Sequence, residues 1–252
     1  MIERLKNLFG TKKPIIAMVH LGALPGSPLF DSETGVEGLI YTAFSDLEAL
    51  QSAGVDAIMF GNENDRPYEF KVDTASTAAA AYIIGQVKKD IKVPFGVNML
   101  WDAESTVALG AATGAHFVRE IFTGYYASDM GAWRPSAAEA LRYRDRLGRS
   151  DMLMFYNISA EFAYSLDQRA LSDRARSVEF SSIPDAILVS GQITGEAASL
   201  SDLEGVKKAV SNTPVLANTG VREDTVSEVL DIADGCVVGT ALKTDGNTWK
   251  SV

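Results

Sequence analysis

The sequence has one cysteine, two histidines and no apolar run long enough to span a bilayer. A single cysteine excludes an intrachain disulfide. The Gly and Val residues around Cys236 predict a thiol buried in a strand, whereas a reactive thiol needs an exposed, electropositive setting. No His and Cys residues have the spacing of a zinc site, so no such metal ligands are predicted. Residues 1–14 carry charges between Leu and Phe and lack the apolar segment of a secretory signal. We therefore expect a cytoplasmic protein without an integral membrane segment.

Basic residues are outnumbered, with 23 Lys and Arg against 33 Asp and Glu and a formal net charge of −10. This balance argues against nucleic acid as a partner, because a nucleic-acid binder needs a basic face to neutralise phosphates. It leaves room for a small anionic ligand, since a few local N–H dipoles can outweigh a diffuse negative field. The expected partner is therefore a small molecule, and a homo-oligomer is also compatible with the sequence.

Short apolar runs alternate with amphipathic stretches along the chain, as buried parallel strands alternate with helices. The eight predicted strands span residues 15–20, 55–60, 94–98, 116–120, 152–157, 186–190, 214–218 and 235–239. Helical stretches separate them, and an extra helix opens the chain at Ile2–Phe9. This order predicts a closed (β/α)₈ TIM barrel; the alternative, a doubly wound open sheet, has fewer strands. Because no linker interrupts the 252 residues, we predict one domain over residues 1–252.

Three parts of the chain depart from a regular barrel. About a dozen residues follow the eighth strand, so the last helix is short or missing; either the opening helix replaces it or the native chain is longer. The opening helix either plugs the bottom of the barrel, which we favour, or lies on a membrane surface with help from Lys12 and Lys13. The long loop 121–135 after the fourth strand is predicted to be a functional lid, as long loops on barrels tend to be.

Polar residues follow the predicted strands at their carboxyl ends, which share one mouth in a barrel. The candidate catalytic residues at these positions are His20, Glu63, Asp65, Asn98 and Arg119. His20 is either a general acid or base, because imidazole titrates near neutral pH, or a structural residue bonded to a loop carbonyl. Glu63, Asp65 and Asp102 either form a carboxylate cluster that holds Mg²⁺ or cap helices and pair with arginine. Arg119 either binds a carboxylate or phosphate or pairs with Glu63 or Glu120.

The last three predicted strands end in glycine-rich turns. The candidate ligand-binding residues in these turns are Ser190, Gly191, Thr194, Gly195, Asn218, Gly220, Gly239 and Thr240. Glycine lets a backbone approach a ligand closely, and consecutive N–H groups form a concavity that binds anions. Many barrels hold a phosphate in the loops after strands seven and eight. Glycines also serve simply to close tight turns, but three such loops in succession favour a phosphate site.

Segments along nearly the whole chain resemble the BtpA family, named for a protein of photosystem I biogenesis. The most specific is AMVHLGALPGSP at residues 17–28. Further similar segments are residues 62–67, 96–100, 117–119, 129–131, 142–144, 189–191, 194–195, 218–221, 233–235, 238–243 and 245–246. The resemblance implies a TIM barrel grouped with phosphate-binding barrels. It also implies kinship with photosystem biogenesis factors and with proteins suspected of acting in sugar or nucleoside metabolism.

Two functions follow from this resemblance and the candidate site. The first is an enzyme that acts on a phosphorylated sugar or nucleoside-type molecule, with His20 and Glu63 as acid and base and with Asn98 and Arg119 orienting the substrate. The second is a non-catalytic assembly factor that keeps the barrel and the anion site. The fifth strand favours the second function, since the resemblance implies an Asp and a Lys-His pair there, as is usual in the family, and this chain has MLMFYN at residues 152–157. Tyr156 and Asn157 can bond a ligand but transfer protons poorly near neutral pH.

Overall fold

The eight apolar runs pair side by side as parallel strands in the computed structural model, which describes residues 2–252. The strands are β1 Ile15–His20, β2 Ala57–Gly61, β3 Phe95–Asn98, β4 Phe117–Glu120, β5 Tyr126–Ser128, β6 Gly131–Trp133, β7 Leu153–Asn157, β8 Ala163–Ser165, β9 Ala186–Val189, β10 Val215–Ala217 and β11 Cys236–Val238. Eight of them close in the order β1-β11-β10-β9-β7-β4-β3-β2. The predicted TIM barrel is confirmed, and the open-sheet alternative is wrong because β1 pairs with β2 on one side and β11 on the other.

In residues 2–252, one helix precedes the first barrel strand and seven surround the barrel wall between successive barrel strands. They are α1 Ile2–Phe9, α2 Gly35–Ser52, α3 Thr74–Val87, α4 Ala103–Thr113, α5 Ala137–Arg146, α6 Leu171–Ser182, α7 Leu200–Ala209 and α8 Val226–Ile232. Two 3₁₀ turns, Thr240–Leu242 and Thr244–Gly246, follow β11 in place of a full helix. This agrees with the predicted short last helix. No helix in residues 2–252 combines the length and the apolarity that crossing a bilayer requires.

The opening helix α1 closes the bottom of the barrel. Its Leu5 and Phe9 are buried, and the Phe9 ring meets Phe117 edge-on at 5.7 Å between centroids and Phe155 at 6.4 Å. Phe117 and Phe155 belong to β4 and β7 and stack on each other inside the barrel at 4.8 Å. The apolar face of the helix is therefore buried against the barrel core, as the plug interpretation predicts, and is not exposed for binding to a membrane surface.

A small antiparallel sheet lies outside the barrel, in the order β6-β5-β8. Strands β5 and β6 form a hairpin within the loop after β4, and β8 comes from the loop after β7. Tyr126 is paired with Trp133 on one side and with Ser165 on the other. The loop that we predicted as a lid is thus joined by backbone hydrogen bonds to a second loop, a connection that the sequence did not reveal.

The segment after β11 is anchored to α2 through a buried ion pair. Lys243 Nζ lies 2.9 Å from Asp46 Oδ2, and both side chains are almost completely shielded from solvent. The other oxygen of Asp46 accepts the N–H of Val252 at 3.0 Å. The same segment brings the carbonyl oxygen of Thr248 to the ring of His20. Residues 240–252 thus form one wall beside the carboxyl end of β1.

Candidate active site

A cavity of about 640 Å³, its mouth included, opens at the carboxyl ends of the barrel strands. Its ionisable lining residues are His20, Glu63, Arg119, Glu120 and Glu161. Two aromatic residues, Trp101 and Phe162, border it as well, and Asn157, Thr194, Gly195, Asn218, Thr219, Gly220, Gly239 and Thr240 line the side formed by the later strands. The position at this face agrees with where barrel enzymes hold their substrates.

Three of the predicted catalytic residues meet in this cavity. Glu63 Oε1 lies 3.9 Å from His20 Nε2 and 3.6 Å from Arg119 Nη2. All three side chains are buried, where an unpaired charge is costly, so the carboxylate and the guanidinium offset each other's desolvation. Within residues 2–252, Glu63 Oε2 and Arg119 Nε have no hydrogen-bond partner. The group therefore keeps one acceptor and one donor available for a ligand.

Two glycines make room for these side chains. A Cβ at Gly61, the last residue of β2, would lie 2.6 Å from Glu63 Oε2, so the carboxylate can fold back over the strand end only because no side chain is there. A Cβ at Gly239 would lie 3.1 Å from His20 Nε2. Gly239, predicted to bind a ligand, thus also sets the position of the imidazole.

The His20 ring is held as a neutral base. Its Nδ1 lies 3.3 Å from the Thr248 carbonyl, and a carbonyl only accepts, so the proton is assigned to Nδ1 and the lone pair to Nε2. Burial lowers the pKa of His20, although the nearby Glu63 carboxylate opposes this by raising it. The positive charges of Lys243 and Arg119 lower the pKa further. A neutral imidazole with a free Nε2 beside a carboxylate is suited to accept a proton.

Asn98 supports the site from behind and does not line the cavity. Its Nδ2 donates to Glu120 Oε2 at 2.5 Å and to the Arg119 carbonyl at 2.8 Å. Glu120 also accepts the N–H groups of Trp101 and Ile121. Burial raises the pKa of Glu120 to about 7, and the charge of Arg119 with these donors keeps it from rising further. Asn98, predicted to orient a substrate, therefore contacts two site residues instead.

Glu161 is a third carboxyl at the cavity, beside Glu63 and Glu120, and it was not among the predicted catalytic residues. It follows β7 by four residues, and its Oε2 accepts the hydroxyl of Thr194 at 2.5 Å. Desolvation raises its pKa, against the effect of Thr194 and the charge of Arg119, and Glu63 raises it as well. The only sequence signal was its place in the loop after a barrel strand. The predicted ligand residue Thr194 thus contacts a carboxyl group.

The predicted cluster of Glu63, Asp65 and Asp102 does not form. Asp65 accepts the N–H of Leu24 at 3.0 Å and lines a separate pocket. Asp102 caps α4 by accepting the N–H groups of Glu104 and Ser105, each at 3.0 Å. In the part of the chain that the structure describes, no three His, Cys, Asp or Glu side chains are grouped as metal ligands would be. Helix capping, the alternative interpretation for Asp102, is confirmed.

The glycine-rich turns divide into supporting and cavity-lining residues. Ser190 Oγ accepts from Asn157 and Asn218, at 2.7 and 2.8 Å, and Gly191 donates its N–H to Thr219 at 2.6 Å. A Cβ at Gly191 would lie 2.4 Å from a backbone oxygen, and one at Gly220 would lie 2.1 Å from a backbone nitrogen. Ser190 and Gly191, predicted to bind a ligand, lie outside the cavity lining and hold the loops together instead.

Three backbone N–H groups of these turns remain without a protein acceptor. Among the described residues, the N–H groups of Gly195, Gly220 and Thr240 donate to none, and all three residues line the cavity. The Thr240 hydroxyl pairs with that of Thr248 at 2.6 Å. Free N–H groups grouped in this way at the mouth of a barrel suit an anionic ligand.

The fifth barrel strand contributes little to the cavity. Only Asn157 of β7 lines it, while Tyr156 turns its ring toward Phe122, with 4.8 Å between ring centroids. The prediction that Tyr156 could bond a ligand of this cavity is therefore wrong. No ionisable side chain of β7 lines the cavity.

Comparisons with known proteins place these features in context. The model of the BtpA family matches residues 11–252. The sgc region protein SgcQ of Escherichia coli is 49% identical over 96% of this chain and 90% of its own length. The photosystem I biogenesis protein BtpA of a Synechocystis species is 33% identical over 97% of this chain and 85% of its own.

Solved structures that are similar in fold are barrel enzymes of low sequence identity. The N-acetylmannosamine-6-phosphate 2-epimerase from Clostridium perfringens superposes with a TM-score of 0.59 at 16% identity, covering 94% of this chain and 90% of that one. Phosphoribosyl anthranilate isomerase from Thermus thermophilus gives 0.52 at 12%, covering 93% and 91%. At such identities, the likeness establishes the fold alone.

Proposed function

The chain belongs to the BtpA family, and from its site we propose that it is an enzyme acting on a phosphorylated sugar or nucleoside-type molecule. The observation that carries this proposal is the buried group of His20, Glu63 and Arg119, with one carboxylate oxygen and one guanidinium nitrogen unpaired. Buried ionisable groups with unmet hydrogen bonds reduce stability, so their presence at the mouth of a barrel is typical of a functional site.

The side of the cavity formed by the turns after the last three barrel strands would suit a phosphate. The free N–H groups of Gly195, Gly220 and Thr240 offer donors without charge. The last two lie in the loops after barrel strands seven and eight, where many barrels bind phosphate. Arg119 supplies the positive charge within the cavity, which matters in a protein with a net charge of −10. Two of the barrel enzymes of similar fold have phosphorylated compounds in their names, which is consistent with this proposal.

The acidic and basic groups at the other side would transfer protons. His20 Nε2 would accept a proton from the substrate, and Glu63 would stabilise the resulting imidazolium at 3.9 Å. Glu161 would return a proton, since its raised pKa favours the protonated carboxyl. Acid–base catalysis requires one group that is unprotonated and one that is protonated at the same pH, and the surroundings of His20 and Glu161 favour these two states.

A ligand screen followed by turnover assays tests the proposal. Inorganic phosphate, sugar phosphates, nucleotides and nucleosides are added with and without Mg²⁺, and the melting temperature is measured. A ligand at 100 times its Kd adds about 2.7 kcal/mol to the free energy of unfolding, which is several degrees here. With the compound that binds, H20A and E63Q should each reduce kcat by about 100-fold or more.

The second histidine provides the matched control. His116 lies at the opposite end of the barrel, exposed, where its Nδ1 accepts the N–H of Phe95 at 3.2 Å. H116A should therefore leave kcat unchanged. If H20A and E63Q both turn over a bound compound at the wild-type rate, the enzyme proposal fails. If no phosphorylated compound shifts the melting temperature, the phosphate part fails.

A non-catalytic assembly factor is the second candidate. It is favoured by the 33% identity to a photosystem I biogenesis protein and by the absence of an ionisable side chain from β7 at the cavity. Such a protein would bind a ligand without turnover, and H20A would retain its function in cells.

We also expect a cytoplasmic location and no nucleic-acid binding, while a homo-oligomer can be tested by light scattering.

A further inference from the structure

Two aromatic residues at the cavity have backbone conformations that L-residues rarely adopt. Trp101 has φ of 70° and Phe162 has φ of 53°. Non-glycine residues with such angles are uncommon, and bulky ones tend to be held there by surrounding structure at functional sites. Both line the cavity that also contains His20 and Glu63. The fold thus keeps two large rings at the mouth of the barrel where glycine would relieve the strain.

The conformation of Trp101 is fixed from two sides. Its backbone N–H donates to Glu120 Oε2 at 3.2 Å, and its ring meets Trp133 of β6 edge-on at 5.2 Å. Trp133 in turn stacks on Phe70, with 5.5 Å between centroids and 4° between planes. The accessory sheet β6-β5-β8 therefore supports the indole from behind. A side chain braced in this way presents a rigid wall to whatever occupies the cavity.

The indole nitrogen of Trp101 has no hydrogen-bond partner, although the residue is only 3% exposed. A tryptophan that served only as core packing would be expected to satisfy its N–H, because a buried unpaired donor is costly. Arg119 Nε is a second unpaired donor, and Glu63 Oε2 and Asn218 Oδ1 are unpaired acceptors, at least within residues 2–252. All four of these residues line the same cavity, so unpaired donors and unpaired acceptors belong to one lining.

A hydroxyl group matches such a lining, since it donates one hydrogen bond and accepts two. A purely anionic ligand would satisfy the donors and leave Glu63 unpaired. An aromatic wall, in turn, suits the apolar C–H face of a ring rather than an extended chain. We propose that the cavity takes a cyclic, hydroxylated sugar moiety, with Trp101 as a specificity residue that packs on the ring and donates its Nε1–H to a ligand oxygen.

This inference rests on the proposed function for the phosphate and extends it to the remainder of the ligand. Binding is measured by calorimetry with pairs of a cyclic sugar phosphate and its reduced alditol, which cannot close the ring, such as glucose 6-phosphate and glucitol 6-phosphate. Pentose and amino-sugar phosphates are each paired in the same way. At least one ring compound should bind about tenfold more tightly than its alditol.

Variants then assign the effect to Trp101. W101F should weaken binding of the ring compound by about tenfold, because the donor is lost while much of the wall remains, and should leave the affinity for inorganic phosphate unchanged. W249F is the matched control, since Trp249 stacks on Arg66 and does not line this cavity. It should change neither affinity.

A second measurement needs no substitution at Trp101 and so does not depend on the folding of W101F. The ¹⁵N-labelled protein has three tryptophan indole N–H signals, and W133F and W249F identify the Trp101 signal by elimination. That signal should shift on addition of the ring phosphate. Ring and open-chain phosphates that bind equally, or a Trp101 signal that stays in place on binding, would overturn the inference and leave the proposed phosphate site intact.

The remaining outcomes separate the two proposals. Unphosphorylated sugars that shift the Trp101 signal, when no phosphorylated compound binds, would support the sugar ring and contradict the phosphate site. A signal that responds only to free nucleobases would overturn the sugar assignment. If none of the compounds binds, both proposals fall.

Discussion

Replacing Lys243 with methionine should cost this protein a large part of its stability. The Lys243 side chain is 0% exposed and that of Asp46 is 3% exposed, with 2.9 Å between Nζ and Oδ2. Methionine approximates the length and volume of the lysine stem but carries no charge. The Asp46 carboxylate would then stay buried with a single backbone donor, the N–H of Val252. A buried charge that loses its partner is the most costly result of breaking an ion pair.

The magnitude follows from this environment. Removing one partner of a buried ion pair costs about 3 to 5 kcal/mol. The entropy of unfolding is about 2.1 cal/mol/K per residue, so a chain of 252 residues has roughly 0.5 kcal/mol/K. The melting temperature of K243M should therefore fall by about 6 to 9 °C. In urea, the midpoint should move while the m-value stays constant.

A double variant tests the reason for the loss. K243M/D46N removes both charges and keeps an amide oxygen for the N–H of Val252, so it should recover most of the stability that K243M loses. If the free energy of unfolding of K243M lies within about 1 kcal/mol of the wild-type value, the unpaired Asp46 carboxylate carries no large penalty and the reasoning is refuted. If the double variant is no better than K243M, lost packing rather than the unpaired carboxylate explains the effect.

Three further predictions concern stability. The raised pKa of Glu120, about 7 in the folded protein against 4.5 for a free carboxyl, means that the folded state keeps a proton which the unfolded chain releases. Protonated Glu120 therefore adds about 3 kcal/mol to the free energy of unfolding below pH 4.5, and this contribution is lost as the pH rises through 7. In urea unfolding, E120Q should not show this decline of stability with pH, whereas the wild type should. G96A places a Cβ 2.2 Å from the Phe117 ring and should destabilise the protein by about 2 kcal/mol in urea, whereas G85A in α3, with open space around its Cβ, should be neutral or stabilising. F9A should lower the free energy of unfolding by about 3 kcal/mol, because it leaves a cavity where the Phe9 ring packs at the bottom of the barrel. Equal urea midpoints for F9A and wild type would contradict that role.

The barrel was predictable because each of its strands carries its own local signal. Buried parallel strands are near-continuous apolar runs, and the positions of His20 and Arg119 toward the carboxyl ends of their strands then follow from the parallel register. Glu63 was predictable for the same reason, since it lies two residues beyond β2. The one-domain organisation stays a prediction, which a single calorimetric unfolding transition would support.

The rest depended on contacts that no local pattern encodes. Strands β5, β6 and β8 have three residues each, too short for an alternation to be recognised. Trp101 resembles any core tryptophan in sequence, and its unpaired Nε1 is visible only once its neighbours are known. Asp102 had both a ligand and a capping interpretation, and the choice required knowing where the carboxylate points. Glu161 reaches the cavity because of the path of its loop, which the sequence does not specify.

The accessory sheet has a consequence for how the cavity can be entered. Strand β5 is hydrogen-bonded on one side to β6, whose Trp133 braces Trp101, and on the other to β8, which begins two residues after Glu161. Neither loop can leave the barrel mouth without breaking the ladder that holds the other. Their amide protons should therefore give one common free energy of opening in hydrogen exchange, since the two loops open as one cooperative unit. Ligand entry and release would then share that single opening step.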